Sequence, residues 1–119
     1  MKRIVLSLLL CLLPFAGQAV TKETTTATGA VLRGLDRQSE ALVDITLNAS
    51  DVAQFGALQI TLKECRFPTN NPSGDAFVHL VISEGEAEKF RGWMVASSPA
   101  LNPLEHARYD VWVLRCNNS

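Results

Sequence analysis

The sequence has no strong charge of either sign. Its 119 residues carry 11 Lys and Arg against 12 Asp and Glu, a formal net charge of −1. A nucleic-acid-binding domain shows a basic patch or stripe, and that footprint is missing, so no nucleic-acid partner is expected. Cysteine and histidine are scarce, at three and two. No Cys-x-x-Cys pair is present, which excludes the usual thioredoxin-like motif. His79 and His106 lack zinc-motif spacing relative to the cysteines. No metal and no cofactor is expected. There is no sustained repeat, no low-complexity tract and no G-x-S-x-G nucleophile elbow. Past residue 19 no hydrophobic run approaches the roughly 20 residues that span a bilayer. Nor does any long amphipathic helix pattern appear there.

What is present begins with an export signal. Met1-Lys2-Arg3 is a positive n-region, and Ile4 to Phe15 is an apolar run of h-region length. Gly17-Gln18-Ala19 puts small residues at −3 and −1 of a cleavage site, so the cut is expected after Ala19. Pro14 interrupts the apolar run, which argues against a retained membrane anchor. Cys11 follows Leu10, where a lipoprotein signal requires a small residue, so Cys11 is expected to leave with the signal. Loss of Lys2 and Arg3 makes the mature chain mildly acidic, at −3. The expected location is the periplasm, with no transmembrane span after processing.

Removal of Cys11 leaves Cys65 and Cys116. An even count in an exported chain of this size points to a disulfide. Both cysteines sit at the ends of predicted strands, in LKECRF and VLRCNN. A pair of free thiols is the alternative.

The expected domains are 1–19 signal peptide, 20–28 flexible Thr-rich leader and 29–119 β domain. Gly29 to Asp36 reads as a strand interrupted at Gly34, a candidate bulge. Asp36 to Ser39 is a turn. In Ala41 to Leu47, Val43, Ile45 and Leu47 alternate with Asp44 and Thr46, so the two runs predict a hairpin. Leu58, Ile60 and Leu62 alternate strictly with polar residues. Cys65 falls on the opposite parity and needs either a bulge near Glu64 or a position at the rim. Phe67 to Asp75 is loop. Ala76 to Ser83 is an apolar run read as a strand buried on both faces, His79 included. Lys89 to Ala96 and Tyr109 to Cys116 complete an all-β chain of about seven short antiparallel strands. A small single-domain sandwich or open barrel is expected.

Gly92 to Cys116 concentrates the unusual residues. Trp93 and Trp112 are both tryptophans of the chain and Tyr109 its one tyrosine. All three are read as core aromatics, and an exposed one would make an aromatic platform for a glycan or protein partner. Ser98 before Pro99 predicts a single helical turn, with Leu101 and Leu104 plugging the core. Asp110 shares a face with Trp112 and Leu114 and is read as a structural acceptor for loop N–H groups, Arg91 or Arg108. Ser97, Ser98, His106 and Asp110 suggest hydrolytic chemistry, but no nucleophile motif accompanies them. They are taken, with Trp93, Tyr109 and Trp112, as candidate binding residues and not as a catalytic set.

The runs TGAVLRGLD, FGALQITLKEC and GWMVASSPALNPLEHARYDVWVLRC resemble the small exported bacterial proteins grouped as domain of unknown function 2155. The resemblance extends from about Thr28 to Cys116 and is most specific in WMVASSPAL with Glu105-His106 and Tyr109-Asp110-Val111-Trp112. It implies export, one compact domain and no established activity, so no catalytic residue is carried over. It also implies a neighbourhood of inner-membrane respiratory genes.

The chain is therefore expected to be a non-enzymatic periplasmic protein that serves an envelope or inner-membrane complex, such as a respiratory one, through protein contacts. A glycan- or peptidoglycan-binding β domain is the alternative, and a Ser/His/Asp hydrolase the third reading. Sequencing the N-terminus of the mature protein should return Val20 as its first residue. Recovery of Met1 or of residues 2–19 would overturn the export reading.

Overall fold

The computed structural model describes residues 23–118. The expected signal peptide, its cut after Ala19 and the first residues of the leader lie outside them. Eight strands form, all paired antiparallel, and no helix forms among the described residues. They are β1 (Thr24–Thr26), β2 (Gly29–Asp36), β3 (Ala41–Asn48), β4 (Val52–Phe55), β5 (Leu58–Pro68), β6 (Phe77–Glu84), β7 (Ala87–Val95) and β8 (Tyr109–Asn117). One sheet runs β5-β6-β7, with β1 and β4 sharing the other side of β5. The second runs β3-β2-β8. β2 packs across β5, β8 across β5, β6 and β7, and β3 beside β4. The sheets stack and do not close, so of the two expected architectures the sandwich is the one formed.

The period-two pattern makes the core. Leu58, Ile60 and Leu62 of β5 and Val78, Leu80 and Ile82 of β6 are fully buried. Leu32, Tyr109, Val111 and Val113 meet them from the second sheet. Each such aliphatic side chain contributes roughly 1.5–3 kcal/mol by leaving water.

Two bulges decide where the cysteines go. In the β5–β6 ladder Leu62 pairs with Leu80 and Glu64 with His79, leaving Lys63 as an extra residue. That resets the parity and turns Cys65 inward, where it is fully buried. In the β2–β8 ladder Val31 pairs with Arg115 and Leu32 with Val113, leaving Leu114 extra. Cys116 then lies opposite the fully buried Ala30, on the inner face. The two residues form a disulfide with their Cα atoms 5.8 Å apart, joining one sheet to the other.

Several expectations are corrected. Thr24–Thr26, assigned to the leader, form β1 against Arg66 to Pro68. The Arg66 guanidinium donates to the hydroxyls of Thr24 and Thr26 at 2.7 and 2.9 Å, which holds the polar strand. That pairing also keeps Phe67 and Pro68 in β5 and out of the loop. Val52–Phe55, too short for a clear alternation, is the additional strand β4. The bulge of β2 lies between Val31 and Leu32, not at Gly34. Gly34 instead leaves room for Phe55, whose ring would sit 2.9 Å from a Cβ there. Strand β6 is buried on one face only, because Phe77, His79 and Val81 alternate with the core residues and stay half-buried.

Replacing both Cys65 and Cys116 with Ser should lower unfolding free energy by about 4 kcal/mol, from the loop-closure entropy of a chain segment this long. Urea melts with and without reductant measure it. Two titratable thiols on the unfolded, unreduced mature protein would show that the bond is not made.

Candidate functional site

The connection from β7 to β8 is a loop pinned at three places. At its start, the Asp75 carboxylate accepts the Ser97 N–H at 3.0 Å and the Ser97 hydroxyl at 2.7 Å. The same carboxylate accepts the Ala76 N–H at 2.8 Å. In the middle, the Asn102 side-chain amide donates to the Trp93 carbonyl at 3.0 Å. Gly92 permits that approach, since a Cβ on it would lie 3.1 Å from the Asn102 nitrogen. At its end, Leu104 is buried in the core.

The expected helical turn is absent. The Leu101 N–H bonds to the Ser98 carbonyl at 3.0 Å as a turn, and the prolines at 99 and 103 carry the chain no further into helix. Leu104 plugs the core as expected. Leu101 does not, and stands 74% exposed.

The return into β8 is an ionic and hydrogen-bonded knot. The Arg108 guanidinium grips both oxygens of Asp36, each at 2.9 Å, and lies 5.1 Å over the Tyr109 ring. Asp36 also accepts the N–H groups of Gln38 and Ser39, at 3.0 and 3.4 Å. The Arg108 bond, with help from the turn N–H groups, holds the Asp36 carboxyl far below the usual carboxylate range. Arg37 donates to the His106 carbonyl at 2.8 Å and to Asp110 at 2.6 Å. The partner of Asp110 is therefore Arg37, not Arg91, Arg108 or a loop N–H.

His106 is committed on both ring nitrogens. Nδ1 accepts the N–H groups of Arg108 and Tyr109, at 3.0 and 3.3 Å. That leaves Nε2 to carry the proton and donate to Glu84, 3.1 Å away. The bond lowers the Glu84 carboxyl below its ordinary range. Ser98 contributes backbone groups to its turn. Ser98, His106 and Asp110 thus each serve a different partner, and no relay of the kind a hydrolase needs is assembled.

The aromatics divide. Tyr109 is a core residue, edge-on to Phe55 at 5.5 Å, with its hydroxyl accepting the Ala57 N–H at 3.0 Å. Gly56 sits at φ 56° against that hydroxyl, and a Cβ there would approach it to 2.4 Å. Trp93 is not core. It is 41% exposed on the outer face of its sheet, its ring stacked on His79 at 5.1 Å and 16°. His79, expected in the core, is displaced to the outer face by the alternation of β6. Trp112 is half-buried and lines an apolar groove of about 310 Å³ with Pro99, Ala100, Pro103, Leu104 and Val111. Asp110 sits at its polar end. Among the described residues no group of three or more His, Cys, Asp or Glu is placed to hold a metal ion. Nor is any helix there long and apolar enough to cross a membrane.

Sequence reasoning located the loop and missed its clamps. Asp36, Arg37, Asp75 and Glu84 lie 22 to 73 residues from the loop and β8 groups they hold, and no local pattern marks such pairs. The one signal available was Asp36 at the head of a turn.

The fold and the site define a small β sandwich, stapled between its sheets, whose polar constellations are spent on structure and whose loop leaves an apolar groove open. The chain belongs to the bacterial family described as "Uncharacterized protein conserved in bacteria (DUF2155)", whose model matches residues 30–116. It is also similar to "Uncharacterized protein RP359" of Rickettsia prowazekii (strain Madrid E), 27% identical over 94 residues, covering 75% of this chain. The chain spans 61% of the length of that relative. No solved structure matches it.

Replacing Tyr109 with Phe should cost roughly 0.5–1.5 kcal/mol, because the Ala57 N–H exchanges the tyrosine hydroxyl for water. Asp36 should dominate the acid response. Its folded pKa is depressed, so its contribution is complete above the unfolded value near 4 and is lost as pH falls below it. The stability gap between wild type and Asp36→Asn should be constant from pH 5 upward and narrow toward pH 3. A gap that is flat across that range would remove the Asp36–Arg108 pair from the account.

Proposed function

We propose that this chain is an exported, non-enzymatic accessory protein that docks an envelope or inner-membrane protein on the surface made by the 97–108 loop and β8. The carrying observation is the groove lined by Pro99, Ala100, Pro103 and Trp112, with Leu101 of the same loop standing 74% exposed. Interfaces are anchored by aromatic and aliphatic groups entering apolar pockets, and a groove presenting Trp beside Pro has that character. The loop is pinned at Ser97, Asn102 and Leu104, so the groove exists before a partner arrives and little ordering entropy is lost on binding. The commitment of Ser98, His106 and Asp110 to structural bonds favours a binding role over chemistry. Trp93 favours a second reading, glycan or peptidoglycan binding, through its exposed ring on the outer sheet face.

A photo-crosslinking residue at position 101 in the intact chain, activated in cells, should give one dominant protein adduct. Trp112→Ala should weaken that partner by roughly 2 kcal/mol, about thirtyfold, with little change in melting temperature. No protein adduct at 101, together with quenching of Trp93 fluorescence by envelope glycans, would replace this reading with the second one.

A further inference from the structure

The two sides of the sandwich are finished differently. On the β7/β8 side the loop covers the strand edges, with Asn102 bonded to the outward carbonyl of Trp93 and the Pro99–Pro103 segment lying along β8. On the β3/β4 side β3 pairs only with β2, and no other described strand pairs with its outer edge. Three of the large apolar side chains exposed among the described residues lie on that side: Leu42 at 56%, Val43 at 40% and Val52 at 52%. Leu42 and Val43 are consecutive and so point to opposite faces of the sheet.

The β3 edge also lacks the usual devices against strand pairing. Such edges carry Lys, Pro or a bulge. β3 reads ALVDITLN, and its register with β2 has no shift over eight pairs. Its single charge, Asp44, is neutralised within the sheet by Arg33, at 2.8 and 3.2 Å. The phase of the ladder follows from the bond between the Ala49 N–H and the Thr28 carbonyl. In an antiparallel ladder bonded pairs alternate, so Ala41, Val43, Ile45 and Leu47 turn their backbone groups to β2. Leu42, Asp44 and Thr46 turn theirs outward.

We propose that β3 pairs antiparallel with β3 of a second copy of this chain, joining two three-stranded sheets into one of six. A two-fold axis through Ile45 sets Asp44 opposite Thr46 and Val43 opposite Leu47. The outward groups of Asp44 and Thr46 then exchange bonds across the axis. The Thr46 hydroxyl faces the Asp44 carboxylate, no two like charges oppose each other, and Val43 is covered. A second copy fits because the strand supplies both halves of this pattern itself. One strand a side is less than the ~800 Å² per partner of a standard interface, so the dimer is weak and concentration-dependent. This surface lies opposite the loop groove, and the inference stands independently of what that groove binds.

Sedimentation equilibrium of the mature protein should show the mass rising from one chain to two across the micromolar range. Val43→Lys and Thr46→Pro should each hold the mass at one chain with unchanged circular dichroism, while Leu101→Lys on the opposite side should leave the dimer intact. Amide exchange gives a reading without substitution: Leu42, Asp44 and Thr46 should be protected at high concentration and exchange freely on dilution. A one-chain mass throughout, exchange at those three amides that ignores concentration, or a dimer that survives both edge substitutions would overturn the proposal.

Discussion

The Cys65–Cys116 bond runs between the two sheets, and it is made because Lys63 and Leu114 are each one residue too many for their ladders. Without the first, Cys65 would share the outer face with Thr61 and Lys63. Without the second, Cys116 would lie on the outer face with Trp112. Each bulge alone would leave one cysteine facing out and no bond to form. The last strand therefore depends on two local irregularities in different sheets. Because β8 carries Tyr109, Asp110 and Trp112, so do the position of the groove and the knot beneath it.

The knot works from the opposite end of β8. Asp36 and Arg37 end β2 and begin its turn, and from there they hold Arg108, Asp110 and the His106 carbonyl. β8 is thus fixed covalently near its C-terminus and ionically near its N-terminus. A strand held at both ends makes a rigid wall for the groove. Asp36 is buried and its pair with Arg108 is the strong one, whereas the more exposed Arg37 and Asp110 charges, screened by solvent, matter more for satisfying the backbone where a loop becomes a strand. His106 illustrates this. Its ring nitrogen takes two backbone N–H groups that the ladder has not yet begun to pair.

The fold was legible where alternation was clean. Leu58, Ile60 and Leu62 announce an inward face, and the wrong parity of Cys65 announces a bulge. Legibility failed where a residue's environment is set by a distant segment. Thr24–Thr26 look unstructured until Arg66 is placed beside them. His79 and Trp93 sit among apolar neighbours in sequence, yet face outward because strand neighbours point to opposite faces. Leu101 and Leu104 have the same side chain and the same loop, but only the one beyond Pro103 reaches the core. The candidate residues all come from one stretch. Their division into a buried Tyr109, an outward Trp93 and a groove-lining Trp112 depends on which face each strand turns inward.

The concentration of polar side chains between Ser97 and Asp110 is what first suggests chemistry, and their partners explain it otherwise. A loop that leaves one sheet and enters the other must satisfy its backbone without a ladder. Ser97 does so through Asp75, Asn102 through the Trp93 carbonyl, and His106 through the N–H groups of residues 108 and 109. Serine, histidine and aspartate are chosen there for donors and acceptors of the right reach. Once those demands are met, what remains unsatisfied on the loop is apolar: Leu101, the prolines and the face of Trp112. A surface whose polar groups are already paired and whose apolar groups are not gains from association. The same distinction separates the two sides of the sandwich, since the loop that creates the groove lies by β7 and β8 and leaves the β3 edge without a strand partner among the described residues.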